Sequence, residues 1–175
     1  MADCTQIVPF IKKWEGEYGN DPDDAGGETR KGITYNTWKS VFGDTHDRFM
    51  AMSDDDWTAI FKKLFWDRIM GDQINSQSVA NLLVDWVWTS GTKTPSKITQ
   101  QLLIDNFGST IAADGAFGKL SVAALNAVDQ KKLFDLIVQR RFKFLDDIVA
   151  ARPQNQKFLK GWQNRINDLV AKYGS

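Results

Sequence analysis

Apolar residues recur along most of this chain at intervals of three and four, the spacing that lines one face of an α-helix. Ile7, Phe10, Ile11 and Trp14 open the series and predict a short amphipathic helix that ends near Glu15. Residues 16–32 break the pattern with Gly, Asp, Asn and one Pro, which predicts an ordered loop or small irregular hairpin. Thr34 is placed to cap a helix that stops before Gly43, with Trp38, Val41 and Phe42 on its inner face. Ser53 and Asp56 have capping-box spacing ahead of Trp57, Ile60, Phe61, Leu64 and Phe65, and predict a helix over 54–68. Val79, Leu82, Leu83, Trp86 and Val87 mark a largely buried helix that stops near Gly91. Pro95 suits the first turn of the next, which Gly108 terminates. Beyond the Asp114-Gly115 turn, the spacing predicts helices over 121–128, 131–151 and 158–173, with Pro153 closing the second. Strands are expected nowhere outside 16–32, so the fold class is mainly α.

With 175 residues, 42% of them hydrophobic, and seven Trp, the chain can bury one substantial core. The formal net charge of zero conceals a split. Residues 1–90 carry 15 Asp plus Glu against 9 Lys plus Arg, a balance of −6, and residues 91–175 carry 7 against 13, a balance of +6. Such a split orients a protein on a charged polymer, although a solvated helical face accounts for basic residues equally well. Cys4 is the one cysteine, so folding does not depend on an internal disulfide. The first residues form neither a basic nor an apolar leader, and no segment approaches the 18 apolar residues of a membrane span. The chain is therefore expected to be made in the cytoplasm, without stable membrane insertion.

The densest chemistry lies between Glu15 and Glu28, where fourteen residues hold six carboxylates. Hydrolysis of a glycosidic bond needs one carboxyl group that donates a proton to the leaving oxygen. A second carboxylate usually activates water or stabilises an oxocarbenium-like state. Glu15, at the end of an apolar helix beside Trp14, and Asp24, on the following loop, suit these two environments; an acidic surface loop is the alternative. Calcium fits less well, because an EF-hand pattern begun at Asp21 puts Ala25 and Gly32 where carboxylates belong. One Cys and the lone His46 make no zinc spacing, so no metal and no cofactor are expected. His46 reads as a surface residue.

The run Glu15-Gly16-Glu17-Tyr18, then Asn20-Asp21-Pro22-Asp23-Asp24-Ala25-Gly26-Gly27, Thr29 and Gly32-Ile33-Thr34, resembles the opening of glycoside hydrolase family 108, the phage and prophage-type N-acetylmuramidases. Glu17 and Ala25 depart from the family's Gly and Pro. The resemblance continues through Ala113-Asp114-Gly115-Ala116-Phe117-Gly118, Arg140-Arg141-Phe142-Lys143-Phe144 and Phe158-Leu159-Lys160-Gly161-Trp162, which are similar to the predicted peptidoglycan-binding segment of that family. It implies a lysozyme-like helical fold, with a catalytic region over 1–93 and a wall-binding region over 94–175 packed into one unit. It also implies that Glu15 is the catalytic acid, with Asp24, Thr29 and Thr34 as further catalytic candidates. Tyr18, Asp85 and Trp86 are candidates for substrate binding. Helix periodicity equally places Trp86 in the core, and capping equally accounts for Thr34. The implied partner is peptidoglycan, not nucleic acid, cut by a monomer between N-acetylmuramic acid and N-acetylglucosamine after another system releases it. A lytic transglycosylase or a non-catalytic wall-binding module would share most of these features. Lys131, Lys132, Arg140, Arg141 and Lys143 are expected to face the wall polymer.

Overall fold

The computed structural model describes residues 1–16, the backbone of 18–19, and residues 27–174. It divides into two compact units, Thr5–Leu64 and Met1–Cys4 with Phe65–Ser175. The described residues are mainly helical, as the apolar spacing predicts.

The unit Thr5–Leu64 contains α1 (Val8–Trp14), β1 (Tyr18–Gly19), β2 (Thr29–Arg30), β3 (Ile33–Thr34), α2 (Tyr35–Phe42), α3 (His46–Met50) and α4 (Asp54–Phe61). The three strands form one antiparallel sheet in the order β1-β2-β3. Lys31 and Gly32, both at positive φ (49° and 80°), turn β2 into β3, as a two-residue hairpin loop requires for its twist to match the strands. The third strand extends the sheet just past the predicted window. Thr34 caps α2, accepting from the Thr37 N–H at 3.1 Å, and Ser53 and Asp56 close the capping box of α4. Phe10, Ile11, Ile33, Trp38, Phe49 and Trp57 are buried in this unit. The short helix α3 has no counterpart in the periodicity, because five residues hold too few repeats to register; it exists to bury Phe49 against Trp38, 5.8 Å between rings.

The predicted helix over 54–68 stops being α-helical at Phe61 and widens into a π turn at Lys62–Trp66, followed by a 3-10 turn at Asp67–Ile69. The wider turn shifts the phase of the inward face. Trp66 and Ile69 become fully buried, whereas Leu64 and Phe65, which the α-spacing puts inside, stay half-buried. Met70 then reverses the chain in the left-handed region (φ 52°), and Gly71 lies flush against the Trp66 ring, which also donates to Asp72 at 2.7 Å.

The other unit is built from α5 (Gln77–Ser90), α6 (Lys93–Phe107), α7 (Lys119–Asn126), α8 (Gln130–Ala151) and α9 (Gln156–Tyr173). Helix α5 is its centre: residues 79–87 are all buried, against α6, α8 and α9. A helix apolar all round can only be stable in the middle of others. Gly108 ends α6 in the left-handed conformation (φ 70°) and Asp129 caps α8 through the Lys132 N–H at 2.7 Å. The irregular stretch between α6 and α7 is fixed by the buried side chain of Gln100. Its oxygen accepts from Gly115 N at 2.8 Å and its nitrogen donates to Asp114, Ala116 and Ser121.

Candidate active site

Glu15 is the residue at which α1 ends. Its backbone leaves helical geometry (φ −99°, ψ 147°) while its N–H still bonds to the Lys12 carbonyl at 3.2 Å, and the residue is half-buried. The position is held by the residues just before it. Lys12 forms a 2.7 Å ion pair with Asp54 at the start of α4, and its ammonium lies 5.0 Å from the centre of the Trp57 ring. Lys31, from the β2–β3 turn, approaches the same Asp54 oxygen at 3.9 Å, and Trp57 Nε1 donates to the Lys31 carbonyl at 2.9 Å. The Lys12 hydrogen bond holds the Asp54 carboxyl below its ordinary pKa, with the Lys12 and Lys31 charges acting in the same direction. The end of α1, the hairpin and α4 are thereby tied into one frame.

Thr29 and Thr34 are brought together. They are directly paired across β2 and β3, and Gly19 of β1 is the partner of Thr29 on its other side. Opposed residues in neighbouring strands share a face. The Thr29 hydroxyl donates to the Gly27 carbonyl at 3.3 Å, while Thr34 Oγ1 both caps α2 and donates to Thr37 Oγ1 at 2.9 Å. The Tyr18 backbone pairs with Arg30. Asp24 lies outside the described residues.

Next to Thr29, Glu28 pairs with His46, which is exposed as the sequence predicts. His46 Nε2 lies 2.8 Å from Glu28 Oε2 and 3.0 Å from Oε1. The His46 ring packs edge-on against Tyr35 at 5.1 Å. The Tyr35 hydroxyl donates to Asp44, and that carboxylate holds the phenol up at about 12. Nothing in the sequence marks the Glu28–His46 pairing, since the two are 18 residues apart and lie on different elements.

Asp85 and Trp86 belong to the other unit. Asp85 is fully buried, and both its oxygens are taken: Arg141 Nη2 donates to Oδ2 at 2.6 Å, and Arg165 donates to Oδ1 through Nη2 at 2.7 Å and Nε at 3.1 Å. Trp86 is 1% exposed and packs edge-on against Phe144 at 5.6 Å. Arg141, expected among the wall-facing bases, is instead 3% exposed, because it falls on the inward stripe of α8 with Leu133, Phe134, Ile137 and Leu145. No helix among the described residues is long and apolar enough to cross a membrane.

Residues 8–91 match the family model described as glycosyl hydrolase 108, and residues 94–167 match that of the predicted peptidoglycan domain. Among solved structures, that of Brucella abortus SagA superposes with a TM-score of 0.77 at 22% identity, covering 98% of this chain and 95% of that one. No protein with a curated description matches the sequence. The chain is thus a glycoside hydrolase of lysozyme-like helical fold that cleaves peptidoglycan, an N-acetylmuramidase by class. Its residues 8–91 belong to glycosyl hydrolase family 108, and the predicted peptidoglycan domain follows over residues 94–167.

Proposed function

We propose that this protein cuts glycan strands internally at the bond between N-acetylmuramic acid and N-acetylglucosamine, with Glu15 as the general acid. The observation that carries the reading is the placement of Glu15. It is a half-buried residue at the end of a short helix, immediately ahead of the small antiparallel sheet, and it lies inside the stretch that matches glycosyl hydrolase 108. The Glu15 carboxyl gives its proton to the glycosidic oxygen as the bond to the anomeric carbon breaks. Asp24 supplies the second carboxylate, which faces the developing positive charge or takes a proton from the attacking water.

Thr29 and Thr34, adjacent on one sheet face, line the same side of the reaction, and Tyr18 borders the sugar. Residues 1–93 act as the catalytic region and 94–175 as the wall-binding region of a monomer that meets the wall after release. Asp85 serves the substrate indirectly, by holding Arg141 and Arg165 in place beside Trp86.

Glu15→Gln tests the assignment, since it keeps the shape of the side chain and removes the transferable proton. Lysis of purified sacculi should fall by about 10²–10⁴-fold, the usual contribution of general acid catalysis, with the melting temperature preserved. Lysis by the variant at near the wild-type rate would remove Glu15 from the mechanism. Mass spectra of the wild-type products should show reducing ends; anhydro sugars would make the reaction a transglycosylation.

A further inference from the structure

Helix α9 carries an aromatic pair at the surface. Phe158 is 47% exposed, one of three large apolar side chains so placed among the described residues. Its ring stacks on the half-buried Trp162 one turn later, 5.8 Å between centroids and 30° between planes. Apolar surface of this kind, rimmed by polar groups, marks a contact surface. Gly161 lies between them in sequence and on the same side of the helix, three residues after Phe158. It is exposed, and it stands inside an 18-residue helix where only proline would be a worse residue. Nothing in the fold asks for it. Its φ lies outside the left-handed region, and a Cβ built on it would meet no atom within 4 Å. Its remaining use is to leave the helix backbone bare beside the rings, where a ligand can come close.

The surroundings are short of negative charge and rich in amides. Residues 148–167 include no acid, and Arg152, Lys157 and Lys160 are all exposed. The Lys157 ammonium lies 5.0 Å from the centre of the Phe158 ring. Gln154, Gln156 and Asn164 are exposed too, and their side-chain amides make no hydrogen bond among the described residues. Flat rings, a bare backbone and free amides select a ligand with a flat apolar face edged by hydroxyl and amide groups. An N-acetylated pyranose has that surface: C–H bonds point from its face toward the negative face of an aromatic ring, and its polar groups lie around the edge. The exposed bases suit a polymer whose side branches are acidic.

We propose that Phe158, Gly161 and Trp162 form a glycan-binding platform that takes one N-acetylated sugar of a peptidoglycan strand, with Arg152, Lys157 and Lys160 facing the acidic peptide branches of the same strand. The choice of the wall strand rests on the reading of the chain as a peptidoglycan hydrolase. The platform keeps the enzyme on the wall between one cut and the next.

The probe is the uncharged N-acetylglucosamine tetramer, compared with diacetyl-L-Lys-D-Ala-D-Ala as a mimic of the stem peptide. Binding to the full chain is read by the NMR shift of the Trp162 indole N–H, identified by its loss in Trp162→Phe. The tetramer should move this resonance, and the peptide alone should leave it in place. Phe158→Ala should weaken tetramer binding by about tenfold, as truncation at the centre of a contact does. In lysis of sacculi it should raise the half-saturating wall concentration by a similar factor and leave the plateau rate unchanged. Gly161→Leu separates a binding role from a merely structural one. A better helix former with open space at its Cβ should raise the melting temperature, while the same side chain should obstruct the platform and weaken the tetramer by about tenfold.

Tetramer binding that survives Gly161→Leu, or a Phe158→Ala variant unchanged in both assays, overturns the platform. A peptide that moves the Trp162 resonance when the tetramer does not overturns the glycan as its ligand. A wild type that lyses sacculi but leaves this resonance unmoved by millimolar tetramer refutes the platform and spares the hydrolase reading. A wild type that binds the tetramer but lyses nothing keeps the platform and refutes that reading.

Discussion

Replacing Asp85 with Asn exchanges one oxygen for an NH2 group within a buried ionic cluster. The side chain is 0% exposed and accepts three hydrogen bonds, from Arg141 at 2.6 Å and from Arg165 at 2.7 and 3.1 Å. The Arg141 and Arg165 side chains are 4% and 11% exposed, so neither can turn out to water for compensation. Asn removes a charge that both buried cations share, and its amide donors then face guanidinium donors. Breaking a buried pair from one side typically costs about 3–5 kcal/mol. For a chain of this length each kcal/mol shifts the melting temperature by about 2–4 °C, so a drop of roughly 6–20 °C is expected.

An exposed pair supplies the control. Lys131–Asp135 is a one-turn pair on α8 with side chains 65% and 50% exposed, and Asp135→Asn should cost no more than about 0.5 kcal/mol. Thermal melts of both variants, followed by circular dichroism, provide the comparison. If Asp85→Asn melts within about 2 °C of wild type, the three side chains do not act as a buried ionic unit, and the account of Arg141 as held in place fails with it.

Gly71→Ala pushes a methyl group into a Trp66 ring that is fully buried and pinned to Asp72, and should destabilise by about 1–3 kcal/mol, readable in the same melts; a neutral result would mean the ring is free to move. The Arg48 hydrogen bond holds the Asp56 carboxyl below its ordinary 3.8, aided by Ser53. A depressed folded pKa stabilises above the ordinary value and loses that contribution as pH falls below it. The stability gap between wild type and Asp56→Asn should therefore narrow as calorimetric scans move from pH 5 to pH 3, and a constant gap would exclude the ion pair. The +6 balance of residues 91–175 should make sedimentation with sacculi weaken as salt rises from about 0.05 to 0.5 M; unchanged sedimentation would assign binding to uncharged contacts.

Local signals carried far in this chain. Thr34, Ser53 with Asp56, and the glycines at 43, 91 and 108 mark helix ends by chemistry confined to four or five consecutive residues, and the structure puts helix ends there. Glu15 at the end of a helix was legible for the same reason. What failed was either too short or too distant. Helix α3 has five residues, and the π turn at Lys62–Trp66 answers to the burial of Trp66, which no α-spacing anticipates. Pairings across the fold are silent in a one-dimensional pattern. Asp85 meets partners 56 and 80 residues away, and Arg141 reads as a surface base until its place on the inner stripe of α8 is seen. The opposition of Thr29 and Thr34 depended on knowing that Lys31 and Gly32 form the turn.

Thr34 ends β3, and Tyr35 begins α2 with no residue between them. The same threonine therefore closes a strand ladder with its backbone and the first turn of a helix with its hydroxyl. There is no slack at this joint. A fluctuation that peels β3 from β2 also unseats the cap of α2, and a frayed α2 loosens the strand, so the two must open as a single cooperative element. An insertion of even one residue here would uncouple them, and with them the fixed relation between the threonine-bearing face of the sheet and the helix behind it.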